Sequence, residues 1–155
     1  MRLVALANAS RGDSLNPGES SQIAILVSRG TSNNLFQVAT LVRAATALDF
    51  SVRVLFEGDA VLKLARSRVN DHEWAKVYAP VLSGLVGRLA AAEFESMEQF
   101  LRDARDHGDD TRFWVAVETL TENDLGVGDL VASIDGPLPQ HDFEAQTLKA
   151  TRVFF

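Results

Sequence analysis

The sequence predicts an α/β domain built on parallel strands, and three segments carry that prediction. Ile23-Ala24-Ile25-Leu26-Val27 is a continuous apolar run ended by Ser28-Arg29-Gly30-Thr31, the pattern of a strand buried on both faces. A helical stretch follows to about Leu48, and Phe50-Ser51-Val52-Arg53-Val54-Leu55-Phe56 is then rich in β-formers and stops at Glu57-Gly58-Asp59. Strand, helix and strand in this order make a βαβ unit, which implies a parallel pair and a right-handed crossover.

Residues 1–21 read as an N-terminal extension and loop, and residues 22–155 as a single domain. Met1 to Ala7 has the character of an added edge strand, and residues 8–22 are rich in Ser, Gly, Pro and Asn. The Arg11-Gly12-Asp13 tripeptide and the Asn8-Ala9-Ser10 sequon fall in this loop and are chance matches in a chain with no sign of secretion. Thr31 or Ser32 can cap the first helix, whose side chain oxygen would accept from a free N–H of the opening turn. Leu35, Phe36, Val38, Ala39, Leu41, Val42, Ala45 and Leu48 cover most of that helix and leave only a thin polar stripe. A helix on a solvated surface has no need of this, so its cover is either the sheet with a neighbouring helix or another subunit.

Further along, Ala60 to Arg68 predicts a short helix and Asp71 to Glu93 more helix, with Trp74, Val77, Tyr78, Val81, Leu85 and Leu89 at helical spacing and Pro80 as a start or kink. Ser96 can cap Met97 to His107, with Gln99 completing a capping box and Gly108 as terminator. Arg112 to Val117 predicts another strand, Glu118 to Asp124 and Val127 to Val131 short helical pieces, Gly136-Pro137 a turn, Phe143 to Leu148 a helix, and Thr151 to Phe155 a terminal strand.

Composition limits the function classes. With 46% hydrophobic and 23% charged residues the chain is of ordinary globular make-up, and no apolar run approaches the ~18 residues of a membrane span. A net charge of −6 argues against broad binding to nucleic acid or anionic lipid. Residues 1–92 carry +3 and residues 93–155 carry −9, a solvated acidic surface or a basis for complementary faces in an oligomer. The chain has no cysteine, which removes disulfides, thiolate zinc sites, iron–sulfur clusters and cysteine nucleophiles. His72, His107 and His141 fit no metal-binding spacing, so no metal and no cofactor is expected. Nothing at the start resembles a signal peptide, and a cytoplasmic location is the expectation.

In an open parallel sheet ligands bind beyond the carboxyl ends of the strands. The candidates there are Ser28, Arg29, Thr31 and Asn33 after the first strand, Glu57 and Asp59 after the second, and Glu118 and Thr119 after the third. The Ser28-to-Asn33 loop could cradle a phosphate, although it lacks the P-loop and dinucleotide fingerprints. Glu57 and Glu118 could act as acid and base if their strands are neighbours; the simpler reading pairs either one with Arg29 or Arg53. Trp114 and Tyr78 are stacking surfaces for a flavodoxin-like nucleotide or FMN binder, or ordinary core. No acidic pair follows the first strand, as a receiver domain would need.

The chain resembles the DsrE/DsrF-like sulfur-relay family in Ile23 to Thr31, in the Ala44-Ala45 helix leading to Phe50 to Phe56 and Glu57-Gly58-Asp59-Ala60-Val61, in Arg112 to Val117, in Asn123-Asp124-Leu125 through Asp129-Leu130-Val131, and in Lys149 to Phe155. The resemblance implies a flavodoxin-like three-layer sandwich with a mainly parallel sheet of about five strands, assembled into dimers, trimers or hexamers of itself or with DsrE-like subunits. It also implies sulfane-sulfur chemistry on a cysteine at the end of the third strand. The matching positions here, Ala116 or Val117, are apolar. The expectation is therefore a non-catalytic, oligomeric binding or interaction protein, with a cysteine-independent enzyme acting on a small polar substrate, or a flavodoxin-like nucleotide or FMN binder, as the alternatives.

Overall fold

The computed structural model describes residues 21–71, 82–91 and 93–155. The readings placed on Met1 to Ala7, on the Asn8 sequon and the Arg11-Gly12-Asp13 tripeptide, and on His72, Trp74, Val77, Tyr78, Pro80 and Val81 lie outside the described residues, as do the side chains of Leu85 and Leu89.

The elements run β1 (Gln22–Val27), α1 (Ser32–Thr46), β2 (Ser51–Phe56), α2 (Asp59–Lys63), α3 (Leu82–Ala91), α4 (Met97–Asp106), β3 (Thr111–Ala116), α5 (Val117–Glu122), a 3-10 turn at Val127–Asp129, β4 (Gly136–Leu138), α6 (Gln140–Gln146) and β5 (Thr151–Phe154). The five strands form one sheet in the order β4-β3-β2-β1-β5, with every pair parallel. This is an α/β fold of the three-layer, flavodoxin-like type.

Local chemistry explains the boundaries. Thr31 caps α1, its hydroxyl accepting from the Asn34 N–H at 3.4 Å, and the helix stops before Asp49, which sits at φ 61° and cannot continue it. Ser96 caps α4 by accepting from the Gln99 N–H at 3.1 Å, while the Gln99 amide oxygen accepts from the Glu95 N–H at 2.7 Å.

Alternation along each strand sorts the core into two parts. On the first face Ile25, Val27, Val52, Val54, Phe56, Phe113 and Val115 are buried beneath α1, α2 and α4, with Leu120 and Leu130 closing one side. On the second face Ala24, Leu26, Leu55 and Ala116 are buried under Phe143 of α6, with Trp114 and Leu138 only partly covered. The strand order accounts for this thin cover. β4 and β5 lie on opposite edges, four strand spacings or roughly 19 Å apart, so the chain between them has to cross the second face, and α6 is the piece that crosses.

Three expectations need correction. The helix after β2 ends at Lys63 instead of Arg68, because the chain turns to place Ala65 in an antiparallel bridge with Leu130. Gly136-Pro137 is the start of β4, not a turn: Pro137 has no N–H to donate, which an edge strand tolerates. The α1 cover is narrower than its composition implied. Leu35, Val38, Ala39, Val42 and Ala45 are buried, Phe36 meets Phe100 of α4 at 5.1 Å between ring centroids, and Leu48 lies beyond the helix at 71% exposure. A neighbouring helix of the same chain thus covers the stripe.

Candidate functional site

The carboxyl ends of β1, β2 and β3 are adjacent, and the loops leaving them divide the predicted residues into two groups. Arg29, Thr31 and Asp59 lie on one side and line a cavity of about 440 Å³ together with Gly30, Leu62, Lys63 and Arg68. Glu57, Glu118 and Thr119 lie on the other, towards α6. Ser28 and Asn33 line neither. The Ser28 hydroxyl and N–H both donate to the Phe155 carbonyl, at 3.0 and 2.8 Å, and so tie the end of β1 to the residue after β5. Asn33 donates to the Asn34 side-chain oxygen at 3.4 Å, and its own buried Oδ1 has no partner among the described residues.

The cavity exists because the β1–α1 loop lies hard against the start of α2. A Cβ on Gly30 would stand 2.2 Å from the Asp59 carbonyl oxygen and 3.1 Å from the Lys63 Cβ, so only glycine permits this approach. The frame is held from behind. Lys63 is 2% exposed and its ammonium donates to the Asp71 carbonyl, which also accepts from the Ser32 hydroxyl at 2.9 Å. Burial of a charge at this depth requires such compensation. Lys63 and Arg68 carry no site motif in the sequence; only the turn at Ala65 brings them beside Arg29.

On the other side β2 and β3 are neighbours, which puts Glu57 near Glu118. Burial, then the Glu118 charge and the Glu144 charge, push the Glu57 carboxyl above the usual carboxylate range. Neither glutamate pairs with Arg29 or Arg53 among the described residues, contrary to the simpler reading. Glu118 instead accepts from the Gln140 N–H at the start of α6, at 3.2 Å, and Arg53 is bound to Asp110 at 2.5 Å. Thr119 accepts from the Gly58 N–H at 3.0 Å, latching α5 to the β2–α2 loop. Trp114 meets Phe143 edge to face at 6.4 Å, so its ring is a packing surface on the second face.

Ala116 ends β3 at 2% exposure, its methyl packed in the cluster beneath Phe143, and Val117 opens α5 half-buried. No group of three or more His, Asp or Glu side chains fit to hold a metal occurs among the described residues, and no described helix is long and apolar enough to cross a membrane.

No protein-family description matches the chain, and no curated protein matches it. Solved structures do, among them two that share its fold over most of its length. The protein of unknown function MTH1491 from Methanobacterium thermoautotrophicum aligns with a TM-score of 0.50 and 16% identity, over 88% of this chain and 100% of its own. The YchN protein from E. coli aligns with a TM-score of 0.50 and 13% identity, over 88% and 100%. At these identities the likeness is one of fold.

Proposed function

We propose that this protein is a non-catalytic module of DsrE-like type, oligomeric in solution, that binds a small polar ligand at the carboxyl ends of β1 and β2. The observation that carries this reading is the contrast between two positions. Where the family resemblance places a reactive thiol, the chain has either Ala116, buried beneath Phe143, or the half-buried Val117, both without a thiol; beside the β1–α1 loop it keeps an open cavity of about 440 Å³, within the usual ~300–1,000 Å³ of small-molecule sites. A role beside sulfur-relay subunits belongs to the same proposal and rests on the sequence resemblance, with the fold shared with MTH1491 and YchN as support for the scaffold.

Two measurements test it. A metabolite library titrated into 15N-labelled protein should move the amide resonances of residues 29–33; a library that leaves them still sinks the ligand half. Light scattering should give a mass of two subunits or more, and a stable monomer at micromolar concentration sinks the assembly half.

A second reading is favoured by the raised Glu57 carboxyl, which would serve an enzyme that moves a proton on a small polar substrate without cysteine. Turnover screens of the wild type and Glu118→Ala distinguish it. Identical empty profiles would retire the idea.

A further inference from the structure

We infer that the ligand of the β1–α1 cavity is a small, multiply charged oxyanion, a phosphate or carboxylate compound of metabolite size. This inference rests on the reading of that cavity as a ligand site and adds its chemistry. Three of the lining side chains are cationic, Arg29, Lys63 and Arg68, against the single carboxylate of Asp59, in a chain whose net charge is −6. A concave site lined by one sign of charge concentrates the opposite sign.

The donors are of two kinds. Arg29 is exposed at the rim and makes no hydrogen bond or ion pair among the described residues, so its guanidinium can bind an oxyanion through two parallel N–H groups. The main-chain N–H groups of Gly30 and Thr31, both in the cavity lining, take no partner among the described residues, and they lead into a helix of 15 residues with no acidic side chain in its first turn. That helix end favours negative charge, and the usual internal carboxylate that would satisfy it is missing. Lys63 and Arg68 act through their field: the Lys63 ammonium already serves the Asp71 carbonyl, and no vacancy on either side chain is required.

The cavity is held open before any ligand arrives. Ser32 and Lys63 converge on one carbonyl, and Gly30 lies against Asp59, so binding does not have to order the loop and loses little affinity to that cost.

The test uses the full chain with inorganic phosphate, pyrophosphate and citrate as probes, read by calorimetry and by the amide resonances of residues 29–33. Pyrophosphate and citrate separate a phosphate source from a carboxylate source. The wild type should bind at least one of them, more weakly as salt rises, and Arg29→Glu should weaken that binding tenfold or more. Arg152→Glu makes the same charge change on the opposite face of the sheet, beside Ala24, and should leave it within twofold. Equal losses in the two variants would reduce the effect to net charge and overturn the inference. If all three anions leave residues 29–33 unmoved while uncharged polyols or nucleosides shift them, the anion chemistry falls and the cavity remains a ligand site. If neither class moves them, both readings fall together.

Discussion

Phe113 and Trp114 are consecutive on β3, yet their surroundings differ as much as any two in the molecule. Phe113 is fully buried on the first face, edge to face with Phe56 at 5.7 Å and beneath three helices. Trp114 points to the second face, where among the described residues one helix of seven residues supplies the cover. The same face carries Arg152, Arg53 and Arg112 in a single cross-strand row, aligned by the register of β5, β1, β2 and β3 about Ala24. Two of these arginines are matched by carboxylates, Arg53 by Asp110 and Arg152 by Glu144, each at 2.5 Å. A parallel sheet needs both faces covered; among the described residues one is covered by apolar packing and the other carries, beside α6, ion pairs that remain in reach of water. Stability should therefore reside mainly on the first face, while the second tolerates change.

Substitutions can break that contrast. Phe113→Ala should cost about 3–5 kcal/mol in denaturant unfolding, the loss of a buried aromatic plus its cavity. Phe143→Ala should cost about 3 kcal/mol with a local signature: amide exchange should quicken in α6 and at Leu26 and Leu55, while α1 and α4 keep their protection. Trp114→Ala should cost about 2 kcal/mol; a loss equal to that of Phe113→Ala would mean the second face is sealed after all.

Electrostatic changes on the second face should be smaller and depend on pH. The Ser51 hydroxyl, at 2.6 Å, and then the Arg53 guanidinium hold the Asp110 carboxyl below its usual range. Its contribution is present above the unfolded-state carboxylate pKa and is lost as pH falls through the lower folded value. Asp110→Asn should thus cost about 1 kcal/mol near neutrality, and a pH series of unfolding midpoints should show wild type and variant converging in acid. Glu57 has the opposite sign. Its raised pKa means the fold prefers the protonated acid, so its contribution is present below the unfolded-state value and lost as pH rises through the folded one. Glu57→Gln should stabilise the protein at neutral pH by a few tenths of a kcal/mol after allowance for solvent screening, with no gain in acid.

The first face was the more legible in sequence. Its strands and helices repeat at periods of two and 3.6, so β1, α1, β2, α4 and β3 follow from Ile23 to Val27, Leu35 to Ala45, Val52 to Phe56, the Ser96 cap and Phe113 to Val115. β4 was hidden because Gly136-Pro137 has the local chemistry of a turn, and only Trp114 to Ala116 alongside supply its pairing. Half of the cavity was hidden for a related reason. Arg29, Thr31 and Asp59 sit at strand ends and could be named from topology, whereas Lys63 and Arg68 reach it through a helix that ends early. The glutamates could be drawn together only on condition that their strands are neighbours, which the pairing of β2 with β3 supplies; the partner of Glu118 is a main-chain group, the Gln140 N–H, which a sequence does not display.

The position of β5 has a consequence for how the chain matures. Residues 151–154 lie beside β1, and Phe155 exchanges hydrogen bonds with Leu26 and Ser28, 127 residues upstream. During synthesis β1 can find β2 early, but its other edge waits for β5, next to the Phe155 that lies 127 residues beyond its hydrogen-bond partner Ser28. Until then Ile23 to Leu26 presents unpaired main-chain groups on an apolar strand, the kind of edge through which nascent chains join one another. The four residues of β5 thus act as the closing piece of the sheet beside β1, and their delay relative to β1 sets the interval in which a chaperone would matter most.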